Sequence, residues 1–425
     1  MDLLKNLKKK VLASKLLKDN LTLLIGTTIL NILGFLFHFY VARKLGPEAY
    51  GVLGAILAIL YIITIVLNTV QTSLTKFFSN LHTLGSYAKL RGLFTRSNKR
   101  LAVYGVILTL VFVAISPLLA SFLNMSVTPI LILSILIVFS LTLPIVRALL
   151  QGTQKFKNLS LNLVIEGIVK FSFVVIFIAI GWGLNGAVFA MVCSYIIAYV
   201  FGLFQTRKYI KKPHEEINKS LIYRDTWPVF LTLLLITSLY SLDTLLVKHF
   251  FLDLEAGYYA SISLIGKILF FGTLSISQVM FPKLVEHTSQ NKLPKKVFFN
   301  SLFLIGSIIF ASLIIFFLIP KFIVGIAFGS EFLPAAYLIG PFGVFMALIA
   351  LTFLTCLYFI SLNKTKFLWI LVIANILEVV LIYLFHNSLL QVLTIVITII
   401  FIVFVILLTQ VIFKKNEIIN NSSSL

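Results

Sequence analysis

The sequence predicts an all-α polytopic membrane protein of about twelve transmembrane helices, arranged as two parallel six-helix bundles. Three observations carry this prediction. The chain is 60% hydrophobic and 12% charged, with a mean hydropathy of +1.07, whereas soluble chains carry about 25% charged residues. Apolar runs of about 20 residues, each able to cross ~30 Å of hydrocarbon, recur from end to end. The basic residues gather in every second break between those runs, as they do when a chain threads a membrane with its positive loops on the cytoplasmic side.

The elements follow in order. Residues 1–19 carry six Lys, with Leu3, Leu4, Leu7, Val11, Leu12, Leu16 and Leu17 at helical spacing. They read either as a basic amphipathic segment lying on anionic lipid or as a plain basic flank that fixes orientation. Spans near 20–42, 52–78, 101–124, 129–150, 159–181 and 185–206 make an N-terminal bundle over 20–206. The segment 207–225, with Arg207, Lys208, Lys211, Lys212, Lys219 and Arg224, reads as a basic cytoplasmic linker. Spans near 226–249, 258–284, 298–319, 336–360, 367–385 and 390–413 make a C-terminal bundle over 226–413, and 414–425 is a cytoplasmic tail. The longest external break runs from Pro320 to Ala335, so no segment outside the membrane is long enough to bury its own core. Gly and Pro inside spans, such as Gly54, Pro144, Gly266 and Pro341, read as close packing and kinks or as hinges.

The net charge of +21 would suit a nucleic-acid partner, but its distribution does not. Of 35 Lys and Arg, 26 lie in the two termini and the alternate breaks 80–100, 151–158, 207–225, 285–297 and 361–366. Only Arg43, Lys44, Lys248 and Lys321 lie on the opposite side. This bias places both termini in the cytoplasm of a multi-pass protein of the cell (plasma or inner) membrane. Cys193 and Cys356 both sit in apolar spans and give neither a disulfide framework nor a metal spacing.

The first membrane hairpin occurs twice. A shift of 207 residues lays Leu45, Glu48, Ala49, Leu57, Leu67, Gln71 and Lys76 on Leu252, Glu255, Ala256, Leu264, Leu274, Gln278 and Lys283. Both copies begin a six-span half. Because each half has an even number of spans, the halves enter from the same side, which is the plan of a transporter built from parallel repeats.

Three motifs add a family resemblance. The run Ala42-Arg43-Lys44-Leu45-Gly46-Pro47-Glu48-Ala49-Tyr50-Gly51 resembles the Leu-Gly-Pro-Glu-x-Tyr-Gly turn of the Wzx-like polysaccharide and oligosaccharide flippases. These belong to the superfamily that also holds the MATE exporters and the lipid II flippase. Leu242-Asp243-Thr244-Leu245-Leu246-Val247 through Glu255-Ala256-Gly257-Tyr258-Tyr259 is similar to that family's seventh span and following turn. Phe328-Gly329-Ser330-Glu331-Phe332-Leu333-Pro334-Ala335-Ala336 is similar to its turn before span ten. The resemblance implies two bundles around a central cavity lined by spans one, two, seven and eight. The implied cargo is a glycan on a polyprenyl phosphate or diphosphate, moved from the inner to the outer leaflet. This chain has fewer Arg in its spans than some members, so the phosphate-holding residues have to be found separately.

Charges inside spans are costly, at about 2.5–3.5 kcal/mol each on the insertion scale, and normally face a bundle interior or a wet cavity. Glu166 and Lys170 stand four apart on span five and can pair; they form a structural ion pair or a polar lining. Asp243 on span seven and Lys267 on span eight fall at depths that long side chains can bridge, and Lys267 is the first candidate for a phosphate anion. Lys76 and Lys283, with Gln71 and Gln278 more than a turn deeper, mark the cytoplasmic mouth, either to attract a headgroup or to snorkel as anchors. Arg147 reads as an anchor of the same kind. Glu378 has no evident partner in the sequence. Asp243, Glu166 and Glu378 are the candidates for proton or ion coupling.

The expectation is therefore a flippase for lipid-linked oligosaccharide that works by alternating access through a cationic cavity. No cofactor and no catalytic residue are expected, and the candidate drivers are coupling to H⁺ or Na⁺ or the membrane potential acting on charge. The partners are the lipid-linked substrate and membrane lipids, with no nucleic acid; the protein acts as a monomer or beside glycan-assembly enzymes. The alternative is a MATE-like small-molecule exporter. A glycan polymerase or membrane glycosyltransferase fits less well, because the external breaks are short and hold few acids.

Overall fold

A computed structural model describes residues 2–210, 227–289, 295–362 and 364–413; side chains at 2–20, 66–69, 210, 275, 278, 279, 282, 283 and 285–289 lie outside the description. The basic linker, the C-terminal tail and the side chains of the N-terminal basic segment fall largely or wholly outside it.

Every regular element among the described residues is a helix. The first half of the chain forms α1 (Asp2–Thr83), α2 (Tyr87–Phe122), α3 (Val127–Gly152), α4 (Phe156–Ala179) and α5 (Gly183–Ile210). The second half forms α6 (Trp227–Leu239), α7 (Leu242–Phe250), α8 (Asp253–Ser289), α9 (Lys295–Leu318), α10 (Pro320–Phe328), a 3₁₀ helix (Ser330–Leu338), α11 (Ile339–Ser361), α12 (Phe367–Leu384) and α13 (Leu389–Phe413). α1 breaks at Gly46, with φ 77° and ψ 177°. That backbone favours glycine, and Pro47 can then open the next helical stretch without losing a needed N–H. Among the described residues eleven apolar stretches are long enough to cross a membrane, and the break at Gly46 divides the 63-residue first one into spans one and two, making twelve.

Three places differ from the sequence reading. The basic segment 80–100 is not a loop; it is the end of α1 and the first turns of α2, separated only by Leu84–Ser86. Span seven is two helices, broken at Tyr240 and Ser241. The break between spans nine and ten contains α10, opened by Pro320, and the 3₁₀ helix, which begins after Gly329 at φ 97°.

The chain divides into two compact units. Unit 1 is 1–46 with 63–224, and unit 2 is 47–62 with 225–425. The first turns of span two thus group with the C-terminal spans. In unit 1, α3 packs against α2 and α5, and α4 against α5, over a core that includes Phe78, Leu93, Phe94, Val146, Leu149 and Leu163. In unit 2, α11 packs against α8, α9 and α13. The burial pattern repeats between halves. The apolar windows of α2, α3, α4 and α5 are 11%, 72%, 22% and 44% buried. Those of α9, the 3₁₀–α11 span, α12 and α13 are 11%, 78%, 33% and 39% buried. Span four and span ten are therefore the buried axes of their units, and spans three and nine the most exposed. This agreement supports the repeat independently of the seven matched residues.

The two motif copies pack on each other within unit 2. A Cβ built on Gly51 would lie 2.7 Å from the carbonyl oxygen of Asp253 and 2.7 Å from the amide nitrogen of Gly257. One built on Gly257 would overlap the carbonyl of Pro47, and one on Gly54 the Cβ of Ala260. Small residues here let two helix backbones touch. Tyr50 then packs edge-on against Phe328 and Phe332, at centroid distances of 5.5 and 5.9 Å.

Candidate functional site

Unit 2 holds a pocket whose polar lining is Tyr50, Tyr61, Thr244, Ser263 and Lys267, with about 280 Å³ of atom-free space, part of it open to the surroundings. The enclosed cavity within it is about 20 Å³, room for about one water molecule, so the lining has to move before a headgroup can enter. Lys267 on α8 is only 4% exposed. Its ammonium lies over two aromatic faces, 5.0 Å from the ring centroid of Tyr61 and 5.4 Å from that of Tyr240. Tyr61 comes from the 47–62 segment and Tyr240 from the break between α6 and α7, where its hydroxyl bonds the hydroxyl of Thr237 at 2.9 Å. The hydroxyl oxygen of Ser263, one turn before Lys267, is buried without a hydrogen-bond partner among the described residues.

Asp243 does not bridge to Lys267, contrary to the sequence reading. Among the described residues no carboxylate is in ion-pair contact with Lys267. Asp243 sits in the first turn of α7, where free amides and the helix dipole suit a negative charge. Its Oδ2 accepts from the Tyr259 hydroxyl at 2.8 Å. Its Oδ1 accepts from the Thr244 amide at 2.6 Å and the Thr244 hydroxyl at 3.2 Å. The acid and the amine remain within electrostatic range of one another. The distinction matters energetically. A ring face holds a cation by about 0.5–2 kcal/mol, while breaking a buried ion pair costs about 3–5 kcal/mol. Lys267 is therefore easier for an incoming anion to recruit than a salt-bridged lysine.

Glu378 on α12 lies within electrostatic range of Asp243. It is 1% exposed and lies against the backbone N–H of Asp243, with no hydrogen bond of regular geometry to either carboxyl oxygen among the described residues. Asn375, three positions earlier on the same helix face, spends its Nδ2 on the carbonyls of Leu235 at 3.2 Å and Leu371 at 2.8 Å. Its Oδ1 is unpartnered among the described residues.

In unit 1 the expected Glu166–Lys170 pair is replaced. Glu166 pairs with Arg147 of α3, and Arg147 Nε also donates to Asn162 Oδ1 at 2.9 Å. Asn162 in turn donates to the carbonyl of Ala198 at 2.7 Å. The planar guanidinium can serve two acceptors at once, so Arg147 is a partly buried clamp across α3 and α4, extended to α5 by Asn162, and not an interfacial anchor. Lys170 instead lies over the Phe37 ring at 5.5 Å. Gln71 and Thr75 both reach Gln151 Oε1 at 3.4 Å. Lys76 is exposed. The side chains of Gln278 and Lys283 lie outside the described residues. Tyr61, Tyr240 and Ser263 were not singled out from the sequence, and Thr244 and Tyr259 entered only as motif positions, not as site residues. The available signal was a tyrosine deep in an apolar span, whose hydroxyl needs a partner when buried.

The profile of one family, described as polysaccharide biosynthesis protein, matches residues 40–337. The chain belongs to the polysaccharide biosynthesis protein family. All three sequence motifs lie wholly inside the match. An uncharacterized membrane protein of Methanocaldococcus jannaschii, MJ1375, is 24% identical over 317 residues, covering 69% of this chain and 75% of that one. Among solved structures, an inward-facing multidrug resistance MATE transporter of the MOP superfamily superposes with a TM-score of 0.74 at 13% identity, covering 92% of this chain and 96% of that one. A MOP superfamily transporter from Pyrococcus furiosus, described by a binding pocket of reverse polarity that suggests a different function, gives 0.63 at 15% identity, covering 92% and 93%. This polysaccharide biosynthesis family member is thus a multi-pass membrane protein with the fold of MATE transporters. Among the described residues no cluster of His, Cys, Asp and Glu is grouped to hold a metal ion.

Proposed function

We propose that the protein flips a polyprenyl-phosphate- or diphosphate-linked oligosaccharide from the inner to the outer leaflet of the cell membrane. The observation that carries this reading is Lys267: a buried ammonium held by ring faces, beside the unpartnered hydroxyl of Ser263, in a small pocket. The phosphate nearest the prenyl chain meets Lys267, while the prenyl tail stays in lipid and the sugars extend away. Family membership and fold support transport of a glycan precursor by alternating access. The basic bias of the sequence supports cytoplasmic termini and cargo entry from that side. Glu378 and Asp243 are the sites at which binding of H⁺ or Na⁺ couples to the cycle. No covalent chemistry on the glycan is part of the proposal; the protein works as a monomer, with membrane lipids and glycan-assembly enzymes as its neighbours.

Reconstitution with a fluorescent prenyl-diphosphate sugar tests this directly. Leaflet exchange that is faster than in protein-free vesicles, and that K267A lowers by about tenfold or more, supports the proposal. Efflux of cationic dyes without lipid exchange favours the second reading, a MATE-like exporter, for which Asp243 and Glu378 are the acids that would meet a cation. Glycan chain extension by the purified protein would overturn both.

A further inference from the structure

The amine of Lys267 and the carboxylate of Asp243 have separate sets of partners. Both charges are buried in the same unit and sense each other, yet each is satisfied elsewhere. Asp243 takes hydroxyls and an amide from Tyr259 and Thr244. Lys267 takes the faces of Tyr61 and Tyr240. The Tyr240 ring is itself fixed, by the Thr237 hydroxyl at 2.9 Å and by Phe270 at a centroid distance of 5.5 Å. A flexible lysine stem next to an unshielded buried carboxylate would collapse onto it, since buried opposite charges attract strongly in a medium of low dielectric. A collapsed pair would have no free cation to offer.

We propose that Tyr61 and Tyr240 are positioning residues that keep Lys267 apart from Asp243 and so available to an external oxyanion. The rings act as a weak, displaceable counter-site. They stabilise the ammonium through their negative faces and carry no formal charge to compete with phosphate. When an anion arrives, Lys267 leaves the rings at little cost, and Asp243 keeps its own hydrogen bonds. The Ser263 hydroxyl, unpartnered one turn earlier, is placed to donate to the same oxyanion. This inference rests on the flippase reading only for the identity of the anion; separation of the two charges is a property of the resting protein.

The first test therefore uses no cargo. Protein in lipid nanodiscs is acetylated with limiting acetic anhydride, and Lys267 modification is followed by peptide mass spectrometry. D243N is introduced with both tyrosines present and again in Y61L/Y240L. If the rings separate the charges, D243N raises Lys267 reactivity by about fivefold or more in the double-leucine background and clearly less with the tyrosines present, the scale of coupling between contacting residues. Equal effects in the two backgrounds overturn the proposal, because a merely structural role for the rings is not relieved by removing Asp243. Should Y61L/Y240L not fold, Y240L and Y240F replace it. Y240F keeps the ring and loses the hydroxyl, so coupling to Asp243 has to be weaker in Y240F than in Y240L; coupling no weaker in Y240F than in Y240L overturns the ring-face account. The second arm measures binding of farnesyl diphosphate. Weakening by about tenfold in Y61L/Y240L, with recovery on adding D243N, extends the clamp to anion recruitment. Reactivity coupling without farnesyl diphosphate binding by any variant leaves the clamp standing and removes the flippase reading.

Discussion

Arg147 and Lys267 are both cations inside apolar spans, and their surroundings assign them opposite roles. Arg147 has a carboxylate, an amide oxygen and a place between packed helices. Removing it alone leaves Glu166 buried without its ion-pair contact, with Lys170 only within electrostatic range. R147A is therefore expected to destabilise unit 1 by about 3–5 kcal/mol, whereas R147M/E166L recovers most of that loss, because a well-packed apolar pair replaces a buried ion pair at little net cost. Thermal melts of the detergent-solubilised variants measure both. Lys267 has ring faces in place of a carboxylate, so K267A is expected to leave melting nearly unchanged while lowering prenyl-diphosphate flipping by about tenfold or more, the loss typical when one member of a buried charge pair is truncated. Glu378 makes a third residue-scale test. If it binds the coupling ion, wild-type flipping accelerates under an imposed H⁺ or Na⁺ gradient and E378Q loses that acceleration; a stimulated E378Q would move the coupling site elsewhere.

At the scale of elements, the glycine contacts decide where the repeat matters. Gly51 and Gly257 let the two motif copies touch backbone to backbone, and a Cβ at Gly257 would meet the Pro47 carbonyl. Backbone cannot move aside as a flexible side chain can, so G257A is expected to cost about 1–3 kcal/mol or more through overpacking. G306A on α9, where nothing lies within 4 Å, is expected to gain about 0.5–1 kcal/mol from helix propensity alone. Melting temperatures that fall for the first and hold or rise for the second check the pair. The Leu-Gly-Pro-Glu-x-Tyr-Gly turn is thus first a packing motif. The spans themselves were legible in the sequence because a 20-residue apolar run has few other readings. The break at Tyr240–Ser241 was not legible, because both halves of span seven are apolar and no Gly or Pro marks the joint. The partner of Glu166 was missed for a related reason: periodicity reveals neighbours at i+4, such as Lys170, but not an arginine 19 positions away on another helix. The pocket was half legible, since charge drew attention to Lys267 and Asp243, while the aromatic faces that hold Lys267 looked like ordinary membrane tyrosines.

For the whole molecule, orientation depends on a charge bias that no single element owns. The 26 basic residues of one side are spread over both termini and five breaks, against four on the other. Orientation rules count Lys and Arg near span ends, and no one loop has to dominate. Lys89, Arg91, Arg96, Lys99 and Arg100 lie on the first turns of α2, a helix of 36 residues, about 54 Å long at 1.5 Å per residue. That exceeds the ~30 Å hydrocarbon core, so these turns have room to stand outside it with their charges in the headgroup region. Neutralising all five to Gln leaves the remaining bias intact, and the predicted orientation is therefore unchanged. A green fluorescent protein fused to the C-terminus should be fluorescent, and alkaline phosphatase inserted after Lys321 should be active, in the wild type and in the five-fold variant alike. Reversed signals in the wild type would exchange the two faces of the membrane, place the Lys76 end on the outside, and turn the proposed inner-to-outer movement of cargo into its opposite.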